Sequence, residues 1–175
     1  FSALVSLVKF AADPQDVLPA ITFWLMGSLS GATRESLALG SPAIIAGVLI
    51  IWLARWRLNA ASLSDDEAVA LGVNLRRLRL AVIAGAALIT GAVVSMCGLI
   101  GWVGLLVPHG SRMLFGADNR RVVPASLVLG ALFMLAIDTA ARSAAASEIP
   151  ASILTSIIGA PFFIFLLRRS GGIRE

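Results

Sequence analysis

Charged side chains are scarce in this sequence. Only 14% of its 175 residues are Asp, Glu, Lys or Arg, whereas 58% are hydrophobic, and the mean hydropathy is +0.92. Since a soluble domain carries about 25% charged residues, the deficit predicts an integral membrane protein. The net charge of +4 comes from arginines that are scattered between apolar blocks. This pattern argues against a nucleic-acid-binding protein, which would cluster its basic residues.

Residues suited to catalysis or metal binding are also few. Cys97 is the only cysteine, which excludes an intrachain disulfide and a cysteine metal cluster. His109 is the only histidine, and we interpret it as a structural group. The sequence has no GxxxxGK[ST] phosphate-binding loop, no HExxH motif and no carboxylate cluster for a metal. We therefore expect no catalytic residue, no bound metal or cofactor, and no ATP hydrolysis by this chain.

Long uncharged segments divide the chain into membrane passes, each of which needs about 20 apolar residues. Residues 80–111 carry no Asp, Glu, Lys or Arg, and one straight helix of that length would be too long for a single crossing. Folding at its glycines would give one full pass and one short pass. The other predicted segments are the tail of a span at 1–8, a short or half-inserted helix at 17–33, and spans at 36–54, 122–137 and 149–167.

The basic residues alternate between the connections of this arrangement. Cytoplasmic connections are enriched in Lys and Arg, so the richer side is predicted to be cytoplasmic and to include residues 59–74 and the carboxyl terminus. Lys9, Arg34 and Arg142 fall on the other side. The residues on the richer side are Arg55, Arg57, Arg76, Arg77, Arg79, Arg112, Arg120, Arg121, Arg168, Arg169 and Arg174.

Residues 98–109, GLIGWVGLLVPH, are apolar enough to lie in a membrane, yet Gly98, Gly101, Gly104 and Pro108 should interrupt any simple helix. Glycine costs about 1 kcal/mol and proline about 3 kcal/mol in a helix interior. Broken backbone at membrane depth is tolerated only where protein or a water-filled cavity covers it. We therefore predict that this segment lies inside a helical bundle. The fold class is all-α, a polytopic transmembrane bundle with short broken helices, in one domain over residues 1–175.

The longer stretch GLIGWVGLLVPHGSRMLFGADNRRVVPAS, which contains His109 and Arg112, resembles the signature region of the FecCD family. These proteins are the permease subunits of binding-protein-dependent ABC importers for iron-siderophore complexes, haem and cobalamin. FWLMGSLSGAT at 23–33, LSDDEAVALGVNLRRLR at 63–79 and EIPASILTSIIGAPFFIFLL at 148–167 also resemble the family, in the expected order. The resemblance implies the fold of a type II importer permease, and the chain resembles its carboxyl-terminal half.

Residues 59–74 are soluble in character. Ser62 or Ser64 could cap a short helix whose positive end suits acidic residues, and Gly72 could end it. The residues alone leave open whether this is an ordinary solvated helix or a docking element. In the family this position is the coupling helix, which docks on the ATP-binding subunit. The resemblance thus implies a coupling role for Asp65, Asp66, Glu67, Ala68, Leu71 and Gly72.

Two further sites follow from the resemblance. Asp138 and Arg142 can form an i,i+4 ion pair, which could be an ordinary pair at a helix end. The resemblance implies instead that Arg142 meets an acidic residue of a solute-binding protein. Arg34 is a second cation predicted on the outer side. The half-inserted segment and the last helix would border the transport path, although lipid-facing or packing roles remain open. The path residues are Phe23, Trp24, Met26, Gly27, Gly159 and Pro161, with Pro161 kinking the last helix.

The expected function is import of a ferric siderophore, or else haem or cobalamin, across a bacterial inner membrane. The expected partners are a second permease half, an ATP-binding subunit that uses ATP, a periplasmic or lipid-anchored solute-binding protein, and the lipid bilayer. An ion-gradient-driven secondary transporter or channel is the alternative, because broken helices suit that class too. The absence of a mid-membrane Asp or Glu argues against proton coupling. A membrane scaffold without transport is a third hypothesis.

Overall fold

The computed structural model describes residues 2–144 and 148–169, and within these ranges every regular element is a helix. This confirms the all-α prediction. Phe1 and Arg174, assigned above to the tail of a span and to the cytoplasmic side, lie outside the described residues. The elements are α1 Ser2–Ala11, α2 Val17–Met26, α3 Arg34–Ala54, a 3-10 helix Arg57–Ser62, α4 Asp65–Ala70, α5 Leu75–Cys97, α6 Val103–Phe115, α7 Asn119–Ser143 and α8 Ala151–Arg169.

Three of the described helices, α3, α5 and α7, are long and apolar enough to cross a membrane. They contain 21, 23 and 25 residues, and 11% of the most apolar window of each is buried within the chain. Their exposed apolar side chains, such as Leu39, Ile83 and Leu135, are available to lipid or to a partner protein. The apolar part of α8, Ala151–Leu166, is shorter than these three. Helix α7 continues beyond the predicted end at residue 137, so that Asp138 and Arg142 lie on its last turns.

The chain breaks after Cys97 and resumes as the 13-residue helix α6. This confirms that residues 80–111 divide between a helix of crossing length and a short helix. The place of the short helix in the membrane stays a prediction. Gly98 and Gly101 lie in the break, but Gly104 and Pro108 lie inside α6, so the expectation that all four interrupt the helix is wrong for the last two. A proline removes one backbone hydrogen bond, and membrane helices tolerate that loss where neighbouring groups compensate for it.

Helices α3 and α5 pack closely where two glycines face each other. A Cβ added to Gly47 would lie 2.5 Å from the carbonyl oxygen of Gly85, and a Cβ added to Gly85 would lie 3.1 Å from that of Gly47. Small residues allow membrane helices to approach at backbone distance. Since α3 and α5 enter and leave the 55–74 connection, this contact holds the two ends of that connection together.

The connections meet in two groups, at opposite ends of the bundle. At one end Asn59, in the 55–74 connection, is hydrogen-bonded to the turn between α6 and α7. At the other end the carboxyl ends of α2 and α5 meet the amino end of α8 through Gly27, Cys97 and Ala151. This grouping agrees with the alternation of connections on which the arginine count was based.

Candidate functional site

Helix α4 begins in a reciprocal cap. The Ser64 hydroxyl oxygen accepts a hydrogen bond from the Glu67 amide at 3.4 Å, and Oε2 of Glu67 accepts one from the Ser64 amide at 3.1 Å. Ser64, rather than Ser62, is therefore the N-cap. Hydrogen bonds from the side chain and the backbone of Ser64 lower the pKa of Glu67, so Glu67 remains ionised at neutral pH.

The end of α4 is fixed as firmly as its start. Gly72 has φ +74, a conformation that glycine adopts without a Cβ penalty. The Gly72 amide donates to the Val69 carbonyl at 2.9 Å, and the Val73 amide donates to the Ala68 carbonyl at 3.0 Å. This is the Schellman arrangement, and it confirms that Gly72 ends the helix. With a cap at each end, this helix of six residues can act as a rigid unit.

The two faces of α4 differ in what they contact. Ala68 is fully buried in a small cluster with Ala54, Ala60, Leu75 and Leu78, which joins α4 to the 3-10 helix, α3 and α5. Val69 and Leu71 are exposed at 67% and 66% beside the exposed side chains of Asp66 and Glu67. Exposed apolar groups rimmed by charges are typical of protein interaction sites. We call Asp66, Glu67, Val69 and Leu71 the α4 surface.

The 3-10 helix is attached to the turn between α6 and α7. Nδ2 of Asn59 donates to Oδ1 of Asp118 at 2.7 Å, and the Asn119 amide donates to Oδ1 of Asn59 at 2.9 Å. Hydrogen bonds from the Arg120 amide and then from the Asn59 side chain lower the pKa of Asp118. The Arg120 guanidinium also lies 3.8 Å from the ring centroid of Trp56. Sequence reasoning missed this contact, because no local pattern connects residues 59 and 118.

At the opposite end, Gly27 and Gly98 bring broken backbone segments into direct contact. A Cβ on Gly98 would collide with the carbonyl oxygen of Trp24, and one on Gly27 would collide with the carbonyl oxygen of Leu99. Both glycines have positive φ, +67 and +70. Gly27 therefore makes a buried backbone contact in this chain, and its predicted place in the lining of a path stays a prediction.

Hydrogen bonds from other segments complete this junction. The Ser28 amide donates to the Cys97 carbonyl at 2.9 Å, and the Ala151 amide donates to the Gly27 carbonyl at 2.9 Å. The Ser152 hydroxyl donates to the Met26 carbonyl. The carbonyl groups of Met26, Gly27 and Cys97, near the ends of α2 and α5, are thus bonded by other segments of the protein, as a backbone break in a membrane protein requires. We call Gly27, Gly98 and Ala151 the glycine junction.

Trp102 occupies the place that Gly159 leaves open on α8. A Cβ on Gly159 would lie 2.6 Å from the Trp102 ring, and the Trp102 and Phe163 rings meet edge to face at 6.4 Å between centroids. Trp102 itself has φ +69, which is uncommon for a residue other than glycine. Gly159 therefore admits the aromatic ring of the residue that precedes α6, while α8 continues without interruption through Pro161. Sequence reasoning did not identify Trp102, because its partner lies on another helix.

The remaining path residues lie on and around α2. Phe23 and Trp24 are exposed at 42% and 45% and line an open groove of about 490 Å³ together with Ser28, Met96 and Cys97. The carbonyl group of Met26 is used in the glycine junction. An open apolar groove suits a partly apolar solute or a lipid chain, and the path assignment of these residues stays a prediction.

Residues 98–109 are only partly buried within the chain. Gly98 and Leu106 are buried, whereas Gly101, Gly104 and His109 are exposed. Arg112, in the last turn of α6, is exposed as well. Whether the whole segment lies inside a bundle therefore stays a prediction, and one side of α6 is uncovered within this chain. The reason is that α6 packs on α7 and α8 only through the side that carries Leu106 and Ser111.

The predicted ion pair at the carboxyl end of α7 is present. Nε of Arg142 lies 2.9 Å from Oδ2 of Asp138, and Nη1 of Arg142 lies 3.4 Å from Oε1 of Glu148. Glu148 is an additional partner that the i,i+4 rule could not indicate. The Arg142 side chain is still 48% exposed, so it is accessible to a partner. Arg34 is exposed at the first residue of α3.

Comparisons with known proteins match nearly the whole chain. The sequence profile of the FecCD transport family matches residues 1–169. The molybdate import system permease protein MolB of Haemophilus influenzae is 44% identical over 98% of this chain and 52% of its own length. A Helicobacter pylori protein, described as a probable iron chelatin transport system permease, is 38% identical over 98% of this chain and 52% of its own length.

The Fe(3+) dicitrate transport system permease protein FecC of Escherichia coli is 40% identical over 90% of this chain and 48% of its own length. The chain thus spans about half the length of the curated relatives it matches. A solved structure, described as an inward-facing conformation of a metal-chelate type ABC transporter, matches with a TM-score of 0.91 and 43% identity. That match covers 96% of this chain and 55% of the other one.

We predict that Gly98→Ala destabilises the protein and that Gly101→Ala does not. The two glycines lie in the same break, but a Cβ on Gly98 meets the Trp24 carbonyl while one on Gly101 meets nothing within 4 Å. Gly98 has φ +70 and ψ −162, a conformation essentially restricted to glycine, which alone should cost about 1–3 kcal/mol with alanine. Thermal unfolding of the purified permease in detergent measures the difference. Equal melting temperatures for the two variants would contradict the glycine junction.

Proposed function

This chain belongs to the FecCD transport family, and we propose that it serves in a binding-protein-dependent ABC importer as a membrane permease subunit for a ferric siderophore or a similar iron chelate. The observation that carries the proposal is the family match over residues 1–169. The cargo is supported by relatives named for an iron chelatin and for ferric dicitrate. The relatives named for molybdate, cobalamin and hemin define the competing cargoes.

The described helices and the family match make this a multi-pass membrane protein. We place it in a bacterial inner membrane with the 55–74 connection and the carboxyl terminus in the cytoplasm. Arg55 and Arg57 lie in that connection and Arg76 and Arg77 follow it directly, as the positive-inside rule requires of a cytoplasmic loop. ATP would then be bound and hydrolysed by a separate subunit on the same side of the membrane.

The α4 surface is the proposed docking site for that ATP-binding subunit. Its exposed Val69 and Leu71 would gain burial from a protein partner, and its carboxylates would add charge complementarity with a basic groove. Ala68 and the neighbouring apolar cluster anchor the same helix to the ends of α3 and α5. A push on α4 is therefore delivered to two membrane-crossing helices that are in backbone contact at Gly47 and Gly85.

A second permease half, meaning the other permease subunit of the transporter, is the proposed partner within the membrane. The crossing helices leave apolar side chains exposed, and the α2 groove with Phe23 and Trp24 is open along one side. Two such halves could enclose a path between them, and rotation of the halves would expose it alternately to the two sides. In this arrangement Gly159 and Pro161 belong to a helix beside the path, and Trp102 braces that helix.

Uptake into proteoliposomes tests the proposed function. The full-length permease, its ATP-binding subunit and its binding protein would be reconstituted and supplied in separate experiments with radiolabelled ferric citrate, haemin, cobalamin or molybdate. ATP-dependent uptake of ferric citrate is the expected result. Preferred uptake of one of the other three would correct the cargo. Uptake that continues without ATP and stops when an ion gradient is collapsed would instead establish a secondary transporter, and a complex that moves none of the four would indicate a scaffold.

We predict that Leu71→Arg uncouples transport. Leu71 is 66% exposed, so the substitution should leave the fold intact while placing a charge where the ATP-binding subunit docks. A buried, unpaired charge costs several kcal/mol at an interface, which should weaken binding of the ATP-binding subunit more than tenfold. Ala117→Arg is the matched control, because Ala117 is exposed in the α6–α7 turn at the same end of the bundle. Equal subunit affinity and equal uptake for the two variants would refute the docking assignment.

We predict that Arg142→Gln weakens docking of the solute-binding protein and that Asp138→Asn does not. Either substitution breaks the 2.9 Å ion pair, but only the first removes a cation from the outer surface. Exposed ion pairs contribute up to about 1 kcal/mol, so the dissociation constant should rise by about fivefold, and more at low salt. Binding titrations on nanodiscs at two salt concentrations measure it. If both variants change binding to the same extent, Arg142 acts only as the brace between α7 and Glu148.

A further inference from the structure

Asn59 joins two segments that are far apart in the sequence, and it uses both ends of its amide to do so. Nδ2 donates to the Asp118 carboxylate at 2.7 Å, and Oδ1 accepts from the Asn119 amide at 2.9 Å. Hydrogen bonds to an ionised carboxylate are shorter and stronger than neutral ones. The 3-10 helix is thereby held in one register against the turn between α6 and α7.

A second contact fixes the same pair of segments. The Arg120 guanidinium lies 3.8 Å from the centroid of the Trp56 ring, within the range of a cation–π interaction. Trp56 precedes the 3-10 helix, and Arg120 lies in the first turn of α7. The polar contact at Asn59 and the stacked contact at Trp56 therefore resist separation of the segments as well as sliding.

On one side of this link, the 3-10 helix moves with α4. Ala60 of the 3-10 helix and Ala68 of α4 are buried in the same cluster, against Leu75 and Leu78 of α5. Well-packed interiors transmit displacement because they are close-packed and have low compressibility. A displacement of α4 by a docked subunit therefore carries Asn59 with it.

On the other side of the link, the turn moves with α6 and α7. Asp118 caps α7 by accepting from the Arg120 amide at 2.9 Å, and Ser126 of α7 donates to Ser111 of α6 at 3.1 Å. At the far end of α6, Trp102 fits against Gly159 of α8. The α6–α7 hairpin thus forms a continuous body from the α4 end of the bundle to α8.

We propose that Asn59 is a positioning residue that transmits movement of α4 to the α6–α7 hairpin and, through Trp102, to α8. The inference rests on the proposed function, in which ATP use by the partner subunit moves α4. The first route of that movement is the direct contact of α4 with α5, and the Asn59 link is the second route. Loss of the link should leave ATP hydrolysis in place and reduce the solute moved for each ATP consumed.

An exchange of the two partners tests the proposal in the reconstituted transporter. Asn59→Asp sets two carboxylates against each other at the 2.7 Å contact and should lower the uptake per ATP hydrolysed by about fivefold or more, the lower range of measured couplings between sites. Asp118→Asn keeps an acceptor for both the Arg120 amide and Asn59, so its uptake should be nearly normal. The double variant removes the repulsion between the two carboxylates and should recover part of the lost uptake, consistent with a coupled pair. Recovery should be incomplete, because Oδ1 of Asp118 also accepts from the Arg120 amide, which a side-chain NH2 group cannot do.

Asn119→Asp is the matched control, since only the backbone amide of Asn119 takes part in the link. Asn59→Ala removes the amide without repulsion and gives a second test should the charged variant fail to fold. Uptake per ATP that equals the unaltered value in Asn59→Asp and Asn59→Ala would overturn the link. So would a double variant that regains its melting temperature but none of the lost uptake. These measurements use whichever of the four labelled probes the unaltered transporter moves. If the unaltered transporter moves none of them with ATP, the proposed function itself fails.

Discussion

A bilayer offers no hydrogen-bond partner to an open backbone group, and the arrangement of this chain depends on that constraint. Two helices, α2 and α5, end where the sequence becomes rich in glycine, and their freed carbonyls need donors from elsewhere in the protein. The amides of Ser28 and Ala151 supply them at 2.9 Å. This geometry needs glycine at Gly27 and Gly98, because a Cβ at either position would collide with a backbone carbonyl group.

The same constraint concentrates many of the polar contacts between segments at the ends of the bundle. Asn59, Asp118 and Asn119 form one group, and Arg142 forms another with Asp138 and Glu148. In between, the helices are held by close approach, as at Gly47 and Gly85. Such a bundle suits movement of whole helices, because its specific contacts lie where segments join and its interior contacts are apolar.

Helix α4 combines the two properties that its proposed docking role needs. Its caps at Ser64 and Gly72 keep six residues helical although isolated helices of that length are unstable. Its inner side is buried through Ala68, while Val69 and Leu71 remain exposed. The helix therefore has a fixed attachment to the chain and a free surface for a partner, and its acidic residues keep that surface soluble.

The sequence by itself determined the features that depend on local chemistry: apolar segments of crossing length, the break after Cys97, the cap and end of α4, and the i,i+4 pair of Asp138 and Arg142. Each of these is set by residues within a few positions of one another. It misplaced Gly104 and Pro108, because a helix tolerates them where its neighbours compensate. Only the tertiary structure decided that Gly159 receives Trp102, that Glu148 joins Arg142, and that Asn59 reaches Asp118. The Trp102 and Asn59 contacts join different segments, and Glu148 reaches Arg142 from outside α7, so chain packing fixes them and no local pattern encodes them.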